Sequence, residues 1–105
     1  MEVIRGRVYW ATPDDRRKPW LVVSNNVRNR VLGSCFGVRL TTTSKPDLPS
    51  IVRLRPEDAP LVGAVLCDTI TVLYPDEDGF ELFSAVAPST MARVDRGLKA
   101  ALALR

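Results

Sequence analysis

A mainly β fold, built as a small half-open barrel with one C-terminal helix, is what this sequence predicts. Three observations predict it. Short β-branched and aromatic runs, separated by Gly, Pro, Asp and Asn clusters, fill the first two-thirds of the chain. Only the segment from Pro88 onward carries a sustained helical period. The 105 residues, 46% apolar and 26% charged, suffice for one domain, residues 1–105, that folds around its own core without disulfides or metals.

The elements follow in order. "GRVYWA" (6–11) reads as a first strand, stopped by the turn-forming "TPDD". "PWLVVS" (19–24) is almost continuously apolar, as expected of a strand covered on both faces, and Pro19 should open it because proline donates no ladder hydrogen bond. "NNVRNR" reads as a loop or a single helical turn. "CFGVRLTTT" (35–43) gives a third strand with Phe36, Val38 and Leu40 on one face, and "LPSIVRL" (48–54) and "GAVLCDTITVL" (63–73) give two more. "YPDEDGFELFSAV" is an acidic turn followed by a weak strand, since Pro75 and Gly79 exclude a regular helix. Pro88 suits the first position of the helix, whose stripe is Met91, Val94, Leu98 and Leu102, with Asp95 and Lys99 as an i,i+4 pair.

Composition narrows the function. The net charge of +3 hides an asymmetry: residues 1–55 hold eleven of the fifteen Lys/Arg and four of the twelve acids, so one half carries +7 and the other −4. A basic half suits either an anionic partner, most simply nucleic acid, or a plain solvated surface. No apolar run is long enough to span a bilayer, and the charged N-terminus is not that of a signal peptide. No membrane association is expected. Cys35 and Cys67 lack metal or redox spacing and read as buried thiols in a reducing cytoplasm. There is no histidine, Cys/His cluster, Gly-rich phosphate loop or GxSxG elbow. No metal or other cofactor is therefore expected, and any catalysis falls to Lys/Arg, Asp and hydroxyl groups.

"RGRVYWA", "KPWLVVSNNVRNR", "GVRLTTT" with "LPSIVRL", "AVLCDTITVL" and "APSTMARVDRGLKAALAL" occur in an order and spacing that resemble the MazF/PemK-type toxin endoribonucleases of type II toxin–antitoxin systems. The resemblance runs over nearly the whole chain. It implies the SH3-like half-open barrel of the MazF, CcdB and Kid toxins, a homodimer, and a MazE-type antitoxin whose disordered tail fills the RNA groove. It also implies metal-independent, sequence-specific cleavage of single-stranded RNA. The ribose 2′-hydroxyl attacks the adjacent phosphorus, leaving a 2′,3′-cyclic phosphate and a 5′-hydroxyl, so DNA, which lacks that nucleophile, is excluded.

Carried over by position, the resemblance implies three catalytic residues. Lys18 contacts the phosphate and donates a proton, Thr41 hydrogen-bonds a non-bridging oxygen, and Asp68 accepts a proton or orients the cation. The candidate RNA contacts are Arg16, Arg17, Thr42 and Thr43 near these residues, with Asn26, Arg28, Asn29 and Arg30 in the "NNVRNR" segment. Trp20 reads as core or dimer packing, or alternatively as a base-stacking ring. The chain departs from the family pattern in four places. Lysine stands at 18 for arginine, and an ammonium is a point charge where a guanidinium forks onto phosphate, a role left open to Arg17. Thr69 replaces the glutamine after the strand acid, and Leu66 the arginine two residues before it. The loop "TPDDRR" is short, which leaves the groove open to exposed loops of structured RNA as well as to single strands. The alternatives are a non-catalytic RNA-binding or protein-interaction module on the same barrel, and a CcdB-type gyrase poison. The latter needs a terminal tryptophan, where this chain ends "ALALR".

Overall fold

The computed structural model describes residues 1–105. Six strands form one antiparallel sheet: β1 (Arg7–Ala11), β2 (Lys18–Val22), β3 (Cys35–Thr41), β4 (Ile51–Arg53), β5 (Ala64–Leu73) and β6 (Glu81–Ala85). Their spatial order is β4-β5-β3-β2-β1-β6, so the sheet curls without closing. Helix α1 (Asn26–Leu32) links β2 to β3, and α2 (Pro88–Ala101) follows β6. No helix is long and apolar enough to cross a membrane.

Side-chain alternation splits the interior in two. Val8, Leu21, Val38, Leu40, Val65 and Cys67 pack with Met91 and Val94 of α2. The alternate positions Tyr9, Ala11, Trp20, Val22 and Cys35 pack with Leu73 and Phe80. Strand β2 is thus buried on both faces, as its unbroken apolar run requires. Helix α2 approaches closely because Gly97 has no side chain: a Cβ there would lie 2.7 Å from the Cys67 sulfur and 3.1 Å from Val52 Cγ2.

Several elements differ from the sequence reading. "NNVRNR" is two turns of helix rather than one: Asn25 caps it by accepting the Arg28 N–H at 2.8 Å, and Gly33 ends it in the left-handed conformation at φ 66°. Lys18, not Pro19, opens β2, with Pro19 paired to Trp10. Phe36 keeps the parity of Val38 and Leu40 along β3 but lies at the strand's start, only half-buried, under the Arg28 guanidinium, 4.2 Å from its ring centroid. On α2, Leu102 is exposed beyond the helix end, and Asp95 pairs with Arg5 rather than Lys99. Both cysteines are buried and free.

Candidate active-site cleft

The register of β2 on β3 decides which side chains meet. Trp20 pairs with Arg39, Leu21 with Val38 and Val22 with Gly37. Continuing that register by two residues sets Lys18 opposite Thr41. Because side chains alternate along a strand, Lys18, Trp20, Arg39 and Thr41 form a block of four on one face. Lys18 opens β2 and Thr41 closes β3, so both stand at the same end of the sheet. On its other side Lys18 pairs with Ala11.

That end of the sheet carries a cleft of about 440 Å³ lined by Trp10, Arg17, Lys18, Pro19, Arg39, Leu40, Thr41, Thr42, Thr43, Pro60, Leu61, Val62 and Phe83. Three cations and three threonines line it, and no carboxylate does. Such a lining favours an anion.

The individual groups differ in how free they are. The ion pairs of the molecule are Arg5–Asp95, Arg17–Glu81 and Arg53–Asp47, so Lys18 and Arg39 are unpaired. Arg17 is engaged, donating to Glu81 at 3.0 Å and to the Gly79 carbonyl at 3.4 Å. Arg39 sits 5.6 Å from the Trp20 ring centroid, and its Nε is buried with no hydrogen-bond partner. Thr41 Oγ1 accepts the Thr43 N–H at 3.1 Å, which turns the strand end and leaves the hydroxyl proton available to an acceptor in the cleft.

The backbone behind Thr41 is held tightly. Gly63, just before β5, has φ +98°, and a Cβ there would fall 2.1 Å from the Thr41 carbonyl oxygen. Only glycine permits that approach. The far wall, Pro60–Val62, follows a 3₁₀ turn at Pro56–Asp58. Asp58 is fully buried there and accepts from Arg55 N at 3.0 Å, Ala87 N at 2.8 Å and Thr90 Oγ1 at 2.7 Å. Burial pushes its carboxyl up, but the hydrogen bonds from Thr90, Ala87 and Arg55 and the charge of Arg93 outweigh it and hold the carboxyl below its ordinary value.

The cleft therefore gathers Lys18, Thr41, Arg17, Thr42 and Thr43 from the sequence-expected set, and leaves the others elsewhere. Asp68 is exposed on β5 outside the lining, where the strand bulges against β3 between Gly37 and Arg39. Thr69 fills that bulge, accepting the Arg39 N–H at 2.8 Å and donating to the Leu66 carbonyl at 2.7 Å. Arg16 is exposed in the β1–β2 loop, also outside the lining. Trp20 is buried in the core, so its ring offers no face to a base. Asn29 is buried too, exchanging hydrogen bonds with Ser24, and is a structural residue of α1. Asn26 accepts the Arg5 N–H at 2.7 Å and Arg28 donates to Ser34, so both hold chain segments together. Asn26, Asn29 and Arg30 border a separate hollow beside Met1–Ile4.

Sequence reasoning missed Arg39, Trp10 and Phe83. Strand alternation was the signal for Arg39, two residues before Thr41 on the same face. Nothing local connects Trp10 with Phe83, because the β1–β6 pairing brings them together.

A half-open barrel with an acid-free cleft of cations and hydroxyls at its mouth defines a class of protein suited to holding a polyanion. Comparison with known proteins narrows the class. Residues 4–102 match the family model described as PemK-like, MazF-like toxin of type II toxin–antitoxin system. Over 101 residues the chain is 43% identical to Endoribonuclease MazF4 of Mycobacterium tuberculosis and to Endoribonuclease MazF1 of Mycobacterium bovis, covering 96% of this chain and 93% of each relative. Among solved structures, a mycobacterial endoribonuclease in complex with its cognate antitoxin superposes with TM-score 0.89 at 42% identity, covering 98% of this chain and 97% of that one. The MazE–MazF complex of Deinococcus radiodurans shares the fold, with TM-score 0.85 at 24% identity over 100% of this chain and 99% of that one. This chain belongs to the PemK-like, MazF-like toxin family.

Proposed function

We propose that this protein is the toxin of a type II toxin–antitoxin system, an endoribonuclease that cuts single-stranded RNA through attack of the ribose 2′-hydroxyl on the neighbouring phosphorus. The observation that carries the reading is the cleft itself, where Lys18, Arg39 and Thr41 line one acid-free wall. Stabilising the extra negative charge of a five-coordinate phosphorus is the largest task of such a reaction, and fixed donors aimed at one spot supply that stabilisation. Thr41 donates a hydrogen bond from its hydroxyl to a non-bridging oxygen. Arg39 supplies the guanidinium fork that position 18 lacks, in place of the engaged Arg17. Lys18 neutralises the phosphate and protonates the departing 5′-oxygen. The 2′-hydroxyl proton leaves to solvent through the open mouth of the cleft, because Asp68 is outside the lining. The products are a 2′,3′-cyclic phosphate and a 5′-hydroxyl.

The partners follow from the same reading. RNA, as single strands or exposed loops, is the substrate, and the protein acts in the cytoplasm. The partner protein is a MazE-type antitoxin, as supported by the mycobacterial relative solved with its own. A homodimer is supported by apolar side chains left uncovered on α1 (Val27, Val31, Leu32) and on β5 (Ile70, Val72).

The test is to incubate the purified protein with single-stranded RNA in EDTA and analyse the ends. Discrete fragments carrying cyclic phosphates are expected. Retardation without cleavage would make the protein an RNA-binding module instead.

A further inference from the structure

We infer that the cleft carries a nucleobase subsite formed by Trp10 and Phe83, set beside the phosphate wall. The inference rests on the proposed RNA chemistry and adds to it the part of the nucleotide that the cations and hydroxyls leave unrecognised.

The two rings are stacked, with centroids 4.9 Å apart and an interplanar angle of 23°. Both line the cleft, Trp10 half-buried and Phe83 37% exposed. Their placement comes from an irregularity in the sheet. Val8 pairs with Ser84 and Tyr9 with Leu82, so Phe83 has no residue opposite it. A bulge of this kind redirects a side chain, and here Phe83 turns onto Trp10 rather than into solvent. Tyr9, one residue earlier, stacks on Phe80 within the core at 5.0 Å. The chain thus has one aromatic pair that seals the interior and a second that borders the cleft.

Position does the rest. Trp10 pairs with Pro19 next to the Ala11–Lys18 pair, so it stands at the same end of the sheet as Lys18, and both line the cleft there. Pro60 and Val62 complete the apolar side of the cleft, and Val62 is 68% exposed. A cleft cationic and hydroxylic on one side and aromatic on the other matches a nucleotide, whose phosphate and base demand those two surfaces. Stacking accepts any base, and the ring edges and Val62 then limit which one fits. The occupant is the base of a nucleotide adjoining the phosphate held by Lys18, Arg39 and Thr41.

The experiment uses an RNA that the protein cuts, made uncleavable by a 2′-deoxy nucleotide at the mapped site. Abasic nucleotides are walked through the flanking positions, and affinity is read by anisotropy for wild type, Trp10→Leu and Phe83→Leu, each checked for unchanged thermal unfolding. Phe83→Leu, on an edge strand, keeps the apolar volume and serves if Trp10→Leu fails to fold. One abasic position should weaken wild-type binding roughly tenfold. The variants should lose a similar factor with intact RNA and nothing further at that position. Equal sensitivity of wild type and variants to every abasic position overturns the subsite while leaving the nuclease intact. Wild type that neither cuts nor binds RNA overturns the functional reading, and the subsite with it.

Discussion

Replacing Asp58 tests whether the wall of the cleft and the start of α2 are held by one buried carboxylate. Asp58→Ala leaves two backbone donors, Arg55 N and Ala87 N, and the Thr90 hydroxyl without their acceptor. The hydroxyl can rotate, but the N–H groups cannot. Each orphaned buried donor costs about 1–3 kcal/mol, so a loss of about 3–5 kcal/mol is expected, a large share of the ~5–15 kcal/mol that holds a typical domain together. Asp58→Asn keeps the shape and one acceptor oxygen but turns an amide donor toward a donor, and about 1–3 kcal/mol is expected.

The same carboxylate imposes a pH signature with a definite sign. Its folded value lies below the unfolded value of 3.8, so near that pH the unfolded chain binds more protons. The contribution is complete above the unfolded value and is lost as pH falls through the folded one. Urea midpoints for wild type and Asp58→Asn, compared at constant slope from pH 6 to pH 2, should converge as the pH drops below about 4. A gap that stays constant over that range, or an Asp58→Ala loss under about 1 kcal/mol, would refute the reasoning.

The other expectations concern the cleft and the thiols. Lys18→Ala should slow cleavage by about two orders of magnitude without changing the urea midpoint, measured on a defined oligonucleotide; an unchanged rate removes Lys18 from the mechanism. Thr41→Val should slow cleavage roughly 10²-fold while Thr41→Ser stays near wild type, since only the hydroxyl is used; equal rates for the two return Thr41 to a structural role. Arg39→Lys should flatten the salt dependence of RNA binding little but lower kcat, because charge is kept and the fork is lost; a wild-type kcat excludes the fork. Cys35 and Cys67 are pushed up to about 11, chiefly by burial, so both should resist a thiol reagent at pH 8 until the protein is unfolded. The same raised values predict stability that is full below about pH 9 and falls as pH rises toward 11.

How much was legible in the sequence depends on how local the signal is. Strand β2 announced itself because burial on both faces demands an unbroken apolar run, and α2 because a helix on a sheet needs a stripe. Helix α1 was under-read because it is only seven residues long, too short for the i,i+4 spacing of Val27 and Val31 to register as a period, and both side chains are exposed. The Asp95–Lys99 pair failed for a different reason: Arg5, far away in sequence, reaches Asp95 first. Lys18 and Thr41 were singled out by family resemblance, and their meeting at one end of the sheet follows from register, which a turn count alone does not give. Trp20 and Asn29 look like binding residues by type, yet both are consumed by packing and hydrogen bonds that only the fold reveals.

The cleft owes its rigidity to where it lies on the strands. A nuclease of this kind must hold donors to within a fraction of an ångström of the scissile phosphate, and loops rarely do that. Here Lys18 and Thr41 are terminal residues of paired strands, with Arg39 one alternation further in. Gly63 presses on the Thr41 carbonyl from behind, and Asp58 braces the wall opposite. The loop residues of the cationic cluster are spent differently: Arg17 is tied to Glu81, and Arg16 stands outside the cleft. The dense charge before β2 therefore divides into one lysine on the sheet and two arginines in the loop before it, and the proposed role in positional catalysis falls to the lysine.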